Sequence, residues 1–177
     1  MNILDELGRR ILFFDGGLGS LLQERGLEPG ELPETWNLTR PEILIDIHKA
    51  YINAGADIIN ANTFGANRFK FDNLEEIITA GIANAKKAVA ETGKKAYVAL
   101  DIGSCGKLLK PMGTLDFADA VDVFAEIVRI GDKAGADLIL IETMSDTYEL
   151  KAAVLAAKEN SCLLYTSPSP RDRSVSR

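Results

Sequence analysis

A parallel α/β protein made of successive strand-then-helix units is what this sequence predicts, on three observations. The phrase Ala54-Gly55-Ala56-Asp57 before Ile58-Ile59-Asn60-Ala61-Asn62-Thr63 recurs as Ala134-Gly135-Ala136-Asp137 before Leu138-Ile139-Leu140-Ile141-Glu142-Thr143. Each copy reads as a helix end, a glycine stop and a short apolar strand. Polar residues, Asn62, Thr63 and Glu142 among them, stand at the carboxyl ends of those strands, where parallel α/β folds bind their ligands. Between the strands lie alanine-rich segments of high helix propensity.

Taken in order, Ile11-Leu12-Phe13-Phe14-Asp15 is a continuous apolar run closed by a glycine turn, as a strand buried on both faces requires. A helix starts from Gly19. A loop rich in Gly, Pro and Glu spans 26–40 and holds the only tryptophan, Trp36, before Pro41 opens a helix over 42–53. Ile43, Ile47, Ala50, Tyr51 and Ala54 recur there at three- and four-residue steps, which marks them as its core face. The second strand, 57–61, leads through Asn62-Thr63-Phe64-Gly65 to a helix over 74–92 capped by Gly93. The third, 96–101, runs into Ile102-Gly103-Ser104-Cys105-Gly106, and a loop with Pro111 and Gly113 precedes a helix over 117–134. Strand four covers 138–142, and Asp146 is the N-cap of a last helix, 147–158. Four such units begin either an eightfold barrel or a doubly wound open sheet. A barrel runs to about 250 residues, so 177 residues amount to part of one, whereas an open sheet suits the length.

Composition narrows the partners. At 46% hydrophobic and 26% charged the chain fits one globular domain with a real core. A net charge of −6 and a pI near 4.9 leave no basic stripe for nucleic acid or an anionic membrane. No apolar run reaches the roughly 18 residues of a membrane span, and Met1 to Arg10 lacks a signal peptide's apolar centre. Two cysteines without framework spacing fit a reducing cytoplasm.

The chain changes character at Cys162. Cys-Leu-Leu-Tyr-Thr-Ser-Pro-Ser-Pro-Arg-Asp-Arg-Ser-Val-Ser-Arg is basic, serine-rich and broken by proline. Residues 162–172 look like the conceptual translation of a sequencing-library adapter, the alternative being a natural disordered tail. Residues 1–161 are therefore read as the folded domain and 162–177 as a non-native or disordered tail, with no fifth strand.

Two loops and one acid carry the chemistry. Asp15-Gly16-Gly17-Leu18-Gly19-Ser20 places three glycines in four positions, so a ligand can approach the backbone and amide N–H groups are free for an anion. Leu22 stands where a dinucleotide fingerprint needs its third glycine, and the Lys-Ser ending of a P-loop is missing. Asn62-Thr63-Phe64-Gly65-Ala66-Asn67-Arg68 offers an amide, a hydroxyl, an aromatic wall and a cation, unless Thr63 merely caps the next helix and Arg68 is a solvated charge. Glu142 ends an apolar strand, where a desolvated carboxylate needs a cation: a ligand ammonium, or a lysine or arginine of a neighbouring loop.

Jointly, Asp15 to Ser20, Ile47-His48-Lys49-Ala50-Tyr51, Ala61 to Arg68, Asp101-Ile102-Gly103 and Ile141-Glu142-Thr143-Met144-Ser145-Asp146 resemble, in order, the homocysteine-binding domain. That domain is shared by cobalamin-dependent methionine synthase and the betaine- and methylmethionine-dependent homocysteine methyltransferases. The resemblance implies a (β/α)₈ TIM barrel, of which this chain would be the first four βα units. It also implies homocysteine and a methyl donor as partners, zinc to hold the thiol as thiolate, and cobalamin or methyltetrahydrofolate through modules further downstream. Carried over residue by residue, Asp15, Gly16, Gly17, Leu18 and Glu142 would hold the amino-acid end of homocysteine, with Asn62, Thr63 and Phe64 lining the same mouth. None is assigned a catalytic or metal-binding role. The family's zinc cysteines follow later strands, so Cys105 is expected to be an incidental loop thiol and His48 a surface or packing residue. By the same resemblance the chain alone is expected to be inactive and to self-associate through exposed strand edges. Two alternatives stand: another TIM-barrel enzyme that grips a phosphorylated substrate at the glycine turn, and a non-enzymatic open-sheet binding module.

Overall fold

A computed structural model describes residues 3–161 and 164–166. Six helices and four strands are laid down in the order α1 (Leu18–Glu24), α2 (Trp36–Thr39), α3 (Pro41–Ala54), β1 (Ile58–Asn60), α4 (Leu74–Thr92), β2 (Tyr97–Ile102), α5 (Phe117–Lys133), β3 (Leu138–Ile141), α6 (Thr147–Asn160) and β4 (Leu164–Thr166) among these residues. Left-handed glycines end the helices where the sequence indicates: Gly55 closes α3 at φ 110° and Gly93 closes α4 at φ 65°. Asp146 caps α6 by accepting the Tyr148 N–H at 2.8 Å.

Strand order separates the two architectures that spacing leaves open. The sheet runs β1-β2-β3-β4, with every pair parallel. Phe14 adds an isolated parallel bridge to Ile58 on the free side of β1. Spatial order therefore follows chain order without reversal. A doubly wound sheet reverses at a switch point, so this is the winding of a TIM-barrel wall and not of an open-sheet module.

Alternation along each strand divides the apolar side chains between two faces. Ile59, Val98, Leu100, Ile102, Ile139 and Ile141 join the main core with the buried stripes of α4, α5 and α6. Ile58, Tyr97, Ala99, Leu138 and Leu140 belong to a second cluster with Ile3, Leu12 and Phe14. That inner layer is covered: none of its five strand residues exceeds 6% exposure.

Three further expectations need correction. The 11–15 run is not a strand buried on both faces, since Ile11 is 75% and Phe13 61% exposed. It pairs with the start of β1, through the Asp57 and Ile58 N–H groups to the Phe13 carbonyl and the Asp15 N–H to the Ile58 carbonyl. On α3 the buried residues are Leu44, Ile45, Ile47, His48 and Ile52, while Ala50 and Ala54 are exposed; large side chains reach the core and small alanines are left outside. Finally, Leu164–Thr166 form β4 on the open edge of β3, within the segment read as a tail. A Leu-Tyr-Thr run has high strand propensity, and an edge of unpaired N–H and C=O groups templates it. The rest of that segment lies outside the described residues. None of the described helices is long and apolar enough to cross a membrane.

Candidate functional site

The alternation that builds the inner layer also aims the site. Asn60, Asp101 and Glu142 stand two residues beyond Ile58, Ala99 and Leu140, so each continues the inner face one step past the apolar layer, at a strand's carboxyl end. There a cavity of about 450 Å³ opens, lined by these three together with Asp15, Gly16, Gly17, Leu18, Asn62, Phe64 and Thr143.

Asp15 is anchored across the sheet, its Oδ2 accepting the Asn60 N–H at 3.0 Å. Its Oδ1 is buried without a hydrogen-bond partner. Burial, with a contribution from the Glu142 carboxylate, pushes the Asp15 carboxyl up to about 7. Asp101 is 6% exposed and also has an orphaned oxygen, Oδ1. Burial first, then the charges of Glu142, Asp15 and Glu34, push it up to about 8. Glu142 is half-buried, and no lysine or arginine among the described residues pairs with it. The competing explanation for this acid, a cation from a neighbouring loop, therefore has no support here.

The glycine turn is shaped by Tyr51. Its hydroxyl donates to the Gly17 carbonyl at 3.1 Å, and a Cβ at Gly16 would lie 2.9 Å from that oxygen. The N–H groups of Gly16 and Gly17 make no hydrogen bond among the described residues. Thr143, next to Glu142, adopts φ 56°, a left-handed conformation costing a β-branched residue about 1–3 kcal/mol.

The βα loop after β1 mostly supports the cavity. Asn62 donates to the Pro33 carbonyl at 2.8 Å and to Asn37 Oδ1 at 3.1 Å. Thr63 is fully buried and does not line the cavity. Its hydroxyl donates to the Asp101 carbonyl at 2.9 Å and accepts the Asp101 N–H at 3.1 Å, and the next helix begins only at Leu74, so it is no helix cap. Phe64 forms a wall, 40% exposed, pressed so closely on Gly103 that a Cβ there would sit 2.5 Å from the ring. Arg68 turns away, bonding Glu126 and the Asp122 carbonyl. Asn60 and Asp101 line the site although the sequence reading gave neither a role, Asp101 standing there only within a motif. Their signal was present in the period-two spacing from Ile58 and Ala99.

Metal donors are a different matter. Among the described residues no group of three His, Cys, Asp or Glu side chains is disposed to hold a metal ion. Cys105 is a buried thiol, pushed up to about 11 chiefly by burial, in a loop tied down by Glu149. His48 is buried in α3 with neither ring nitrogen hydrogen-bonded.

The family model described as homocysteine S-methyltransferase matches residues 12–176. The methionine synthase of Mycobacterium tuberculosis (strain ATCC 25618 / H37Rv) is 35% identical over 174 residues, and that of Mycobacterium leprae (strain TN) is 32% identical over 174 residues. Each alignment covers 89% of this chain but 14% of the relative, so the chain spans a small part of these proteins' length. Among solved structures, the homocysteine methyltransferase MmuM from Escherichia coli superposes in its oxidized form with a TM-score of 0.74 at 21% identity, covering 94% of this chain and 65% of that one. Its metallated form gives 0.73 at 21% identity over 96% and 66%. At that identity the likeness is one of fold, a partial TIM barrel. With the family model spanning nearly its whole length, the chain belongs to the homocysteine S-methyltransferase family.

Proposed function

We propose that this chain supplies the amino-acid-binding part of an enzyme that methylates homocysteine on sulfur. One observation carries the reading: Asp15, Asp101 and Glu142 converge on one cavity with no cation among the described residues to pair them. An α-ammonium supplies that charge, and the unbonded amides of Gly16 and Gly17 suit the α-carboxylate beside it. A phosphorylated substrate fits less well, because its charge would meet the same carboxylates. Asn62 and Thr63 act through the scaffold, and Phe64 contributes apolar wall. Such residues position the nucleophile, and positioning is worth several kcal/mol of barrier.

The family resemblance implies zinc on the homocysteine thiol, but the described residues do not fit a zinc site, so no step is assigned to it here. Its donors would have to come from outside them. Cobalamin or methyltetrahydrofolate, where used, would be held by other modules. We accordingly propose that these 177 residues bind homocysteine without methylating it.

Titration calorimetry tests the reading. L-Homocysteine should bind the purified chain, 4-mercaptobutanoic acid, which lacks the amine, should bind at least about tenfold more weakly, and Glu142→Gln should cost homocysteine a similar factor. Absence of any homocysteine binding at millimolar concentration overturns it.

A further inference from the structure

We propose that Asp101 is a third receptor for the ligand's ammonium group and that the site selects primary over N-alkylated amines through the number of N–H donors it can satisfy. This rests on the amino-acid reading above and deepens it.

Asp101 lines the cavity, is 6% exposed, and has an Oδ1 that no described residue reaches. It cannot withdraw. Thr63 binds its backbone on both sides, through its N–H and its carbonyl, and the nearby Gly103 N–H is held by the Phe64 carbonyl at 2.9 Å. Its register partner across the sheet is Leu140, which offers no donor side chain. A buried carboxylate oxygen without a donor is costly, and the cost disappears when a ligand provides one.

Three carboxylates are disposed to receive one ammonium. Asp15 comes from the first βα turn, Asp101 from the end of β2 and Glu142 from just past β3, so they face one cavity from three strand ends. A primary ammonium presents three N–H donors, and an N,N-dimethylated one presents a single donor. Among the other polar groups at this mouth, Glu34 Oε1 accepts the Gly65 N–H at 2.6 Å, while Asn60 Oδ1 is buried without a described partner and adds a neutral acceptor beside the carboxylates.

The titration of the cluster is consistent with this geometry. Asp15 sits at about 7, raised by burial and by Glu142, and Asp101 at about 8, raised by burial and then by Glu142, Asp15 and Glu34. The empty site therefore holds protons at neutral pH that an ammonium must displace, and affinity should rise from pH 6 to 8.

Calorimetry on the full chain with L-homocysteine, its N,N-dimethyl derivative and 4-mercaptobutanoic acid tests the proposal, comparing wild type with Asp101→Asn. The wild type should prefer homocysteine over the dimethyl derivative by at least about tenfold. In Asp101→Asn, homocysteine should bind roughly 10- to 100-fold more weakly. Its advantage over the dimethyl derivative should shrink to about threefold, with 4-mercaptobutanoic acid unaffected. A thermal melt at or above the wild-type temperature shows that the variant is folded, and Asp101→Glu, which keeps the charge, should recover part of the preference. Unchanged homocysteine affinity in Asp101→Asn, or an equal loss for all three ligands, overturns the role of Asp101 alone. If the wild type fails to bind homocysteine, the amino-acid reading falls and takes this inference with it.

Discussion

Position 48 holds a histidine enclosed in α3 with no hydrogen bond to either ring nitrogen, and burial pushes it down to about 4. Its neutral form is favoured in the fold, so the unfolded chain takes up the proton first, from about pH 6.5 downward. Stability is lost as pH falls from there toward 4. His48→Met removes that loss, and urea titrations should show the variant gaining on wild type by on the order of 2 kcal/mol between pH 7 and 5. The site carboxylates act in the opposite sense. With a folded value raised to about 8, Asp101 contributes stability that is full below about 4 and lost as pH rises through 8. Asp101→Asn should therefore be more stable than wild type at pH 8 by on the order of 1 kcal/mol or more, with the difference vanishing near pH 4. A variant less stable at pH 8 would show that the charge is compensated in the fold. Individual site residues were legible to differing degrees. Asp15 and Glu142 announce themselves as acids abutting apolar runs, whereas the burial of Thr63 depends on the reach of Asp101's backbone from another strand, which local sequence does not encode.

Elements were read best where a helix carries both a cap and a period. α4 has the expected bounds, and α5 and α6 differ from theirs by one or two residues at the C-terminal end. Irregular 26–40 was read as loop, yet it contains a 3₁₀ turn at Pro33–Thr35 and α2, because Trp36 is driven fully into the core and its Nε1 is held by Glu31 at 2.7 Å. Helix-to-sheet distance cannot be read from a helical period. At Gly131 of α5 a Cβ would lie 2.4 Å from Leu100 Cδ2 on β2. Replacing a mid-helix glycine by alanine ordinarily gains up to about 1 kcal/mol, but forcing a methyl into a filled core costs about 1–3 kcal/mol. The clash wins. Gly131→Ala should lower stability by about 1 kcal/mol in equilibrium unfolding, while Gly93→Ala should do so through its left-handed φ of 65° instead.

Across the whole molecule, the barrel-type winding was foreseen through motif resemblance more than through spacing, and strand order is what separates it from an open sheet. Composition could not show that the inner apolar layer would be covered. The outermost segment exposes Ile11 and Phe13 on one face, an apolar surface offered to another chain. Light scattering after size exclusion should find the chain self-associating at tens of micromolar, and Phe13→Lys should shift it toward monomer; a monodisperse monomer at all concentrations contradicts this. The unreversed sheet has a further outcome for how the polypeptide is made. Every β-ladder joins segments adjacent along the backbone, so a nascent chain leaving the ribosome can dock each unit on its predecessor without waiting for a distant partner, and the entropy of closing large loops is met in small instalments.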